Sequence, residues 1–113
     1  MIVQRQVWHG YTKYLIADGY GSVQLGLFDK EQEFGGTAFI YGLYVCPPYR
    51  GNHLGEALLD QAEFSAKHAG HKAVFLEWEE KDSPKWVLEW YLRLGYKDVE
   101  SDKQGCLLKK ELK

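Results

Sequence analysis

Apolar and polar positions divide the chain into two regimes. The first 45 residues read as strands. Residues 2–8 (IVQRQVW) and 12–17 (TKYLIA) flank His9-Gly10-Tyr11, which predicts a tight hairpin. Asp18-Gly19-Tyr20-Gly21 is a second turn signal, SVQLGLF at 22–28 a third strand, and the long apolar TAFIYGLYV at 37–45 a fourth. The polar segment 29–36 between these last two ends in Gly-Gly and reads as a loop. Short links make this an antiparallel meander. Pro47-Pro48 stops the sheet, because proline cannot donate to a ladder. The period then changes: Leu54, Ala57, Leu58, Ala62, Ser65, Ala66 and Ala69 recur at three and four, one face of a helix closed by Gly70. KAVFLEW at 72–78 is the fifth strand. Ser83-Pro84 predicts a second helix, with a hydroxyl N-cap and proline at the first helical position. Its buried stripe is Val87, Trp90, Tyr91 and Leu94, and Gly95 ends it. A sixth strand starts near Tyr96 and a seventh spans 105–112. The order β-β-β-β-α-β-α-β-β is an α+β fold, one sheet covered by two helices.

Composition narrows the function classes. With 113 residues and 13.1 kDa the chain is expected to form a single domain, 1–113. Its 45 % hydrophobic and 27 % charged residues are an ordinary globular mixture. No apolar run is long enough for a transmembrane helix and no signal peptide is visible, so a cytoplasmic protein with no membrane partner is expected. A net charge of −2 argues against a dedicated nucleic-acid binder. Cys46 and Cys106 are too few for a disulfide scaffold and lack metal-ligand spacing, so no metal is expected. Neither cysteine has a partnered histidine, and both read as buried small residues. The aromatic share, 15 %, is high, and core packing is its first explanation.

Chemistry concentrates in VCPPYRGNHLGEALL, residues 45–59. A strand ends there, a proline-bent turn follows, and a glycine-bearing loop opens a helix. Backbone N–H groups at a helix start have no intrahelical partner, and the helix dipole is positive there, so phosphate is attracted. Gly51 and Gly55 allow close approach to the backbone, and Arg50 adds a fixed positive charge. Glu77 and Glu79 share one face of the fifth strand. The lysines at 109, 110 and 113 read as a solvated chain end, with contact to a phosphate as the alternative.

Val45-Cys46-Pro47-Pro48-Tyr49-Arg50-Gly51-Asn52-His53-Leu54-Gly55, with Trp90-Tyr91-Leu92-Arg93-Leu94-Gly95-Tyr96 further on, resembles the GCN5-related N-acetyltransferase (GNAT) superfamily. The first segment matches the acetyl-CoA signature and the second the aromatic-Tyr…Leu-Gly-aromatic signature. Three departures stand out. His53 replaces the middle glycine of the phosphate signature, which is tolerable at negative φ. Pro84 stands where the family often has Asn, so a cofactor contact is missing or moved to Ser83. Only a short turn separates the first two strands, where the family usually has helices that wall the acceptor site.

The resemblance implies a mostly antiparallel sheet splayed between strands 4 and 5, with acetyl-CoA in the cleft as acetyl donor and no metal. The cofactor-binding residues would be Leu43, Tyr44 and Val45 along the strand edge, then Arg50, Gly51, Asn52, His53, Leu54, Gly55 and Glu56, with Ser83. A backbone N–H near Tyr44 or Val45 would hold the oxyanion. Tyr91 occupies the general-acid position, and Glu77, Glu79, His53 or a water relay is the base. The implied function is acetyl transfer from acetyl-CoA to a primary amine, small molecule or protein. The alternatives are an acyl-CoA-binding regulatory module that controls a partner protein and a plain interaction domain. Absent the usual helices, Trp8, Tyr11, Tyr14 and Tyr20 are expected to form an exposed surface, and a homodimer is expected.

Overall fold

The computed structural model describes residues 1–113. Its elements are β1 (Ile2–Trp8), β2 (Tyr11–Ala17), β3 (Gly21–Phe28), β4 (Ala38–Val45), a 3-10 turn (Pro47–Tyr49), α1 (Leu54–His68), β5 (Ala73–Glu79), α2 (Lys85–Arg93), β6 (Lys97–Ser101) and β7 (Gly105–Glu111). The seven strands form one sheet in the order β1-β2-β3-β4-β5-β7-β6. Every neighbouring pair is antiparallel except β4 and β5. This is the expected α+β order, and each strand lies within a residue or two of its sequence pattern.

Local chemistry sets the connections. Trp8 already pairs with Tyr11, so the first turn has two residues, His9 and Gly10, with Gly10 at φ 77°. No helix stands between β1 and β2. Asp18 Oδ1 accepts from the N–H groups of Tyr20 and Gly21 at 2.7 and 3.0 Å, an Asx turn that starts β3. Asp102 does the same for Gln104 and Gly105 before β7.

Both helices pack on one face of the sheet. Leu58, Leu59, Ala62 and Ala66 of α1 meet Ile16, Val23, Leu25, Ile40, Val74, Leu76 and Leu108, and α2 adds Tyr91. Each fully buried aliphatic side chain here contributes about 1.5–3 kcal/mol. The α1 stripe differs from the expected one: Ala57 and Ala69 are exposed, and Leu59 is buried instead. Ser65 lies within the stripe, beside Ala66, and is the one buried polar residue. The N-cap of α2 is Pro84, extended at ψ 159°, and Ser83 makes no capping bond. The Ser83 N–H instead donates to Glu79 O at 3.1 Å, so the turn is still winding at that residue and the helix starts one position later.

Aromatic residues serve the core less than composition suggested. Only Phe75, Trp78, Tyr91 and Tyr96 are buried. The four aromatics expected to share a surface also separate. Tyr14 packs on the core side, Tyr20 stacks on Tyr49 with centroids 3.7 Å apart, and Trp8 stacks with Tyr11 on the helix-free face. Two of the three C-terminal lysines are paired rather than merely solvated. Lys110 Nζ reaches Glu63 at 2.9 Å and Lys109 Nζ reaches Glu111 at 3.2 Å.

Candidate functional site

β4 and β5 touch at a single register pair, Phe39 and Phe75. Beyond it the strands part, and the cause lies in β4. Opposite Val23, β4 holds one extra residue between Tyr41 and Tyr44, with Gly42 at φ 65°. That is a β-bulge, which bends its strand and ends pairing. Glycine tolerates the positive φ, and a Cβ there would lie 3.0 Å from Gln24 Nε2. The edge of Leu43, Tyr44 and Val45 facing β5 therefore has no strand partner. The isolated glycine inside an apolar strand was the available sequence signal for this bulge.

The open edge runs into the glycine-bearing loop. Arg50 folds back, its Nε donating to Val45 O at 2.8 Å while its guanidinium stands 5.7 Å from the Tyr44 ring centre. Gly51 has φ 88°, and a Cβ there would meet nothing within 4 Å. His53 has φ 62°, the left-handed region, so the condition of a negative φ is not met at this position. Gly51 and His53 thus place two left-handed residues around Asn52, just ahead of α1. The first intrahelical bond runs from Ala57 N–H to His53 O. The N–H groups of Leu54, Gly55 and Glu56 thus lack intrahelical acceptors, and those of Gly51, Asn52 and His53 donate no backbone bond. A row of free donors at a positive helix end is suited to anionic oxygens. The Glu56 carboxylate lies 3.6 Å from His53 Nδ1 at the same place.

Gly55 plays a part the sequence did not reveal. A Cβ on it would lie 3.1 Å from Trp90 Cη2, so its absence lets α2 dock against the start of α1. That contact brings the neighbour of Tyr91 to the loop. Tyr91 itself is buried, and burial pushes its hydroxyl pKa above the ordinary tyrosine value. Its Oη makes no hydrogen bond within the protein and is not completely sealed from solvent. Glu77 and Glu79 lie on the opposite face of the sheet from Tyr91. Glu77 is exposed and forms no ion pair, whereas Glu79 is half-buried and sits 3.4 Å from Lys81 Nζ. Ser83 stands in the turn before α2, its N–H donating to Glu79 O at 3.1 Å. Both cysteines are half-buried. The Cys106 thiol is pushed up by burial and by Asp98, the reverse of an activated nucleophile.

Two concavities flank this region. One, about 270 Å³, opens on the helix-free face and is lined by Tyr11, Phe28, Phe34, Phe39, Tyr41 and Glu77, with Gly26 beneath. A larger groove of about 820 Å³ lies between α1 and β6–β7, walled mostly by charged side chains, and shares no residue with the loop or the parted strands.

The model of the acetyltransferase (GNAT) family matches residues 10–96. The chain belongs to this family. Solved structures agree at the level of fold. A candidate acyl-CoA N-acyltransferase from Klebsiella pneumoniae is 21 % identical with TM-score 0.72, the alignment covering 96 % of this chain and 77 % of that one. A candidate GNAT-family acetyltransferase from Desulfovibrio desulfuricans is 20 % identical with TM-score 0.73, covering 92 % and 71 %. The PaiA N-acetyltransferase of Thermoplasma acidophilum, solved in complex with coenzyme A, is 22 % identical with TM-score 0.67, covering 89 % and 59 %. No curated protein matches the sequence. This GNAT chain keeps the parted strands and the loop at α1 while joining β1 to β2 by a two-residue turn.

Proposed function

We propose that the protein is an N-acetyltransferase that moves the acetyl group of acetyl-CoA directly onto a primary amine. The parting of β4 from β5 after one pair, with free N–H donors where the parted edge ends, carries this reading. Acetyl-CoA supplies an activated thioester: the amide C–N bond forms as the C–S bond breaks. The chain's residues do the rest. Leu43, Tyr44 and Val45 offer the pantetheine arm the edge that β5 leaves free, apart from Val45 O, which holds Arg50 Nε, as an edge strand offers itself to a peptide. The N–H groups from Gly51 to Glu56, with Asn52, His53, Leu54 and Gly55 between, face the pyrophosphate, and Arg50 adds charge. Glu77 takes the proton the amine must lose, being the strand-five carboxylate without an ion pair. A backbone N–H near Tyr44 or Val45 stabilises the developing negative oxygen. Tyr91 returns a proton to the thiolate.

Two measurements test the reading. Acetyl-CoA at about 100 times its dissociation constant is expected to stabilise the fold by about 2.7 kcal/mol, seen as a raised Tm. A panel of primary amines is expected to include one that releases free CoA thiol. Binding without thiol release from any amine would favour the second reading, an acyl-CoA-binding regulatory module, which the absence of a helix between β1 and β2 supports. No thermal shift would overturn both.

A further inference from the structure

The helices leave one face of the sheet open, and that face carries a run of aromatic rings. Tyr11 stands 4.8 Å from Phe28 between centroids, and Phe34 lies 6.3 Å from Phe28 and 4.9 Å from Phe39. With Tyr41 these rings wall the cavity of about 270 Å³, and Glu77 is the only charged residue on its lining. Gly26 forms the floor, since a Cβ there would lie 3.1 Å from the Tyr11 ring. The hydroxyls of Tyr11 and Tyr41 stand 3.5 Å apart at the cavity rim.

Aromatic faces carry negative quadrupole charge and attract cations. The fold already uses this on the same face, where Lys109 Nζ sits 5.6 Å from the Phe75 ring centre. Glu77 adds a formal negative charge with no cation to balance it, while Glu79 and Glu111 are ion-paired to Lys81 and Lys109. Glu77 is exposed and solvated, so a neutral ligand gains nothing from it, a cation gains an ion pair, and an anion is repelled. The position also fits. Tyr41 and Glu77 each lie two residues past the Phe39–Phe75 pair on the parallel strands, so the cavity opens at the mouth of the parted strands.

We propose that this cavity binds a primary alkylammonium group, seated against the tyrosine and phenylalanine rings with Glu77 as counter-ion. That this group belongs to the acetyl acceptor rests on the transferase reading; the cation site itself does not. The class of acceptor is then a small or extended aliphatic amine, cationic in solution, rather than an anionic or neutral one.

The test uses the full chain without acetyl-CoA. n-Butylammonium and 1-butanol, alike in chain length and different in charge, are titrated while ring signals are followed by NMR. Butylammonium is expected to shift the signals of the lining rings saturably and to bind at least tenfold tighter than the alcohol. Glu77→Gln, at an exposed position, is expected to weaken butylammonium at least fivefold and leave the alcohol unchanged. Equal affinity for the two probes, or no saturable shift, would overturn the proposal. So would concentration-dependent shifts of the same rings with no amine present, which would mean that a second copy covers the face. A parallel acetyl-CoA titration keeps the readings apart: cation binding without acetyl-CoA binding leaves the site and removes the transferase, and the reverse leaves the transferase and removes the site.

Discussion

Tyr91 shows what one residue owes to its surroundings. Burial raises its pKa, so the phenol stays protonated at neutral pH and can donate. Its hydroxyl has no protein partner to lose. Tyr91→Phe is therefore expected to lower kcat roughly 10²-fold while Tm and acetyl-CoA affinity stay near wild type. Turnover within about threefold of wild type, from the same kinetic assay, would remove Tyr91 from the mechanism. Helical spacing placed this residue on the core stripe from sequence alone. Which atoms surround the hydroxyl is a matter of packing between α2 and the sheet, which spacing does not encode. The backbone of His53 was likewise illegible: whether a histidine takes φ 62° is settled by the loop that joins the 3-10 turn to α1, which residue spacing does not encode.

At the scale of elements, the contact between α1 and α2 depends on Gly55. From sequence this glycine read as room for phosphate; in the fold it is also room for Trp90, 3.1 Å from where a Cβ would stand. Gly55→Val is accordingly expected to destabilise the protein by about 1–3 kcal/mol through overpacking even without ligand. Thermal melts should show this loss together with an altered Trp90 fluorescence. An apo Tm equal to wild type would show that α2 can yield without cost. The bulge at Gly42 works at the same scale. One extra residue in β4 ends its pairing with β5 and so makes the cleft.

For the whole molecule, titration sets the window of stability. Burial pushes the hydroxyls of Tyr91 and Tyr96 up, Tyr96 also feeling Glu63, and burial with the Tyr11 hydroxyl raises Tyr41 to about 12. A raised tyrosine keeps its proton in the fold after the unfolded chain has lost it. Stability is therefore full below about pH 10 and falls as pH rises above it. Burial lowers His71, which lies 2.7 Å from Thr37 Oγ1, against a smaller opposing effect of Asp29. There the unfolded chain binds the proton first, so stability is present above about pH 6.5 and falls below it. Denaturant melts across pH are expected to trace a plateau between these limits. His71→Gln should flatten the acid side, and an unchanged acid limb in that variant would remove His71 as its cause. No helix of the chain is long and apolar enough to cross a membrane.

The periodicity of the chain determined the element order, the meander and the site of the change from strand to helix, because two- and 3.6-residue repeats are properties of neighbouring residues. It also marked the loop from Arg50 to Gly55 and the Trp90–Tyr91 pair, whose spacing is local. Only the tertiary structure decided which strands part, because the parting needs Gly42 set against Val23 on a different strand. Only it brought Tyr11, Phe34, Tyr41 and Glu77 to one cavity, from three strands and a loop. Rings that read as core in composition became a surface, because both helices pack on a single face and a sheet has two.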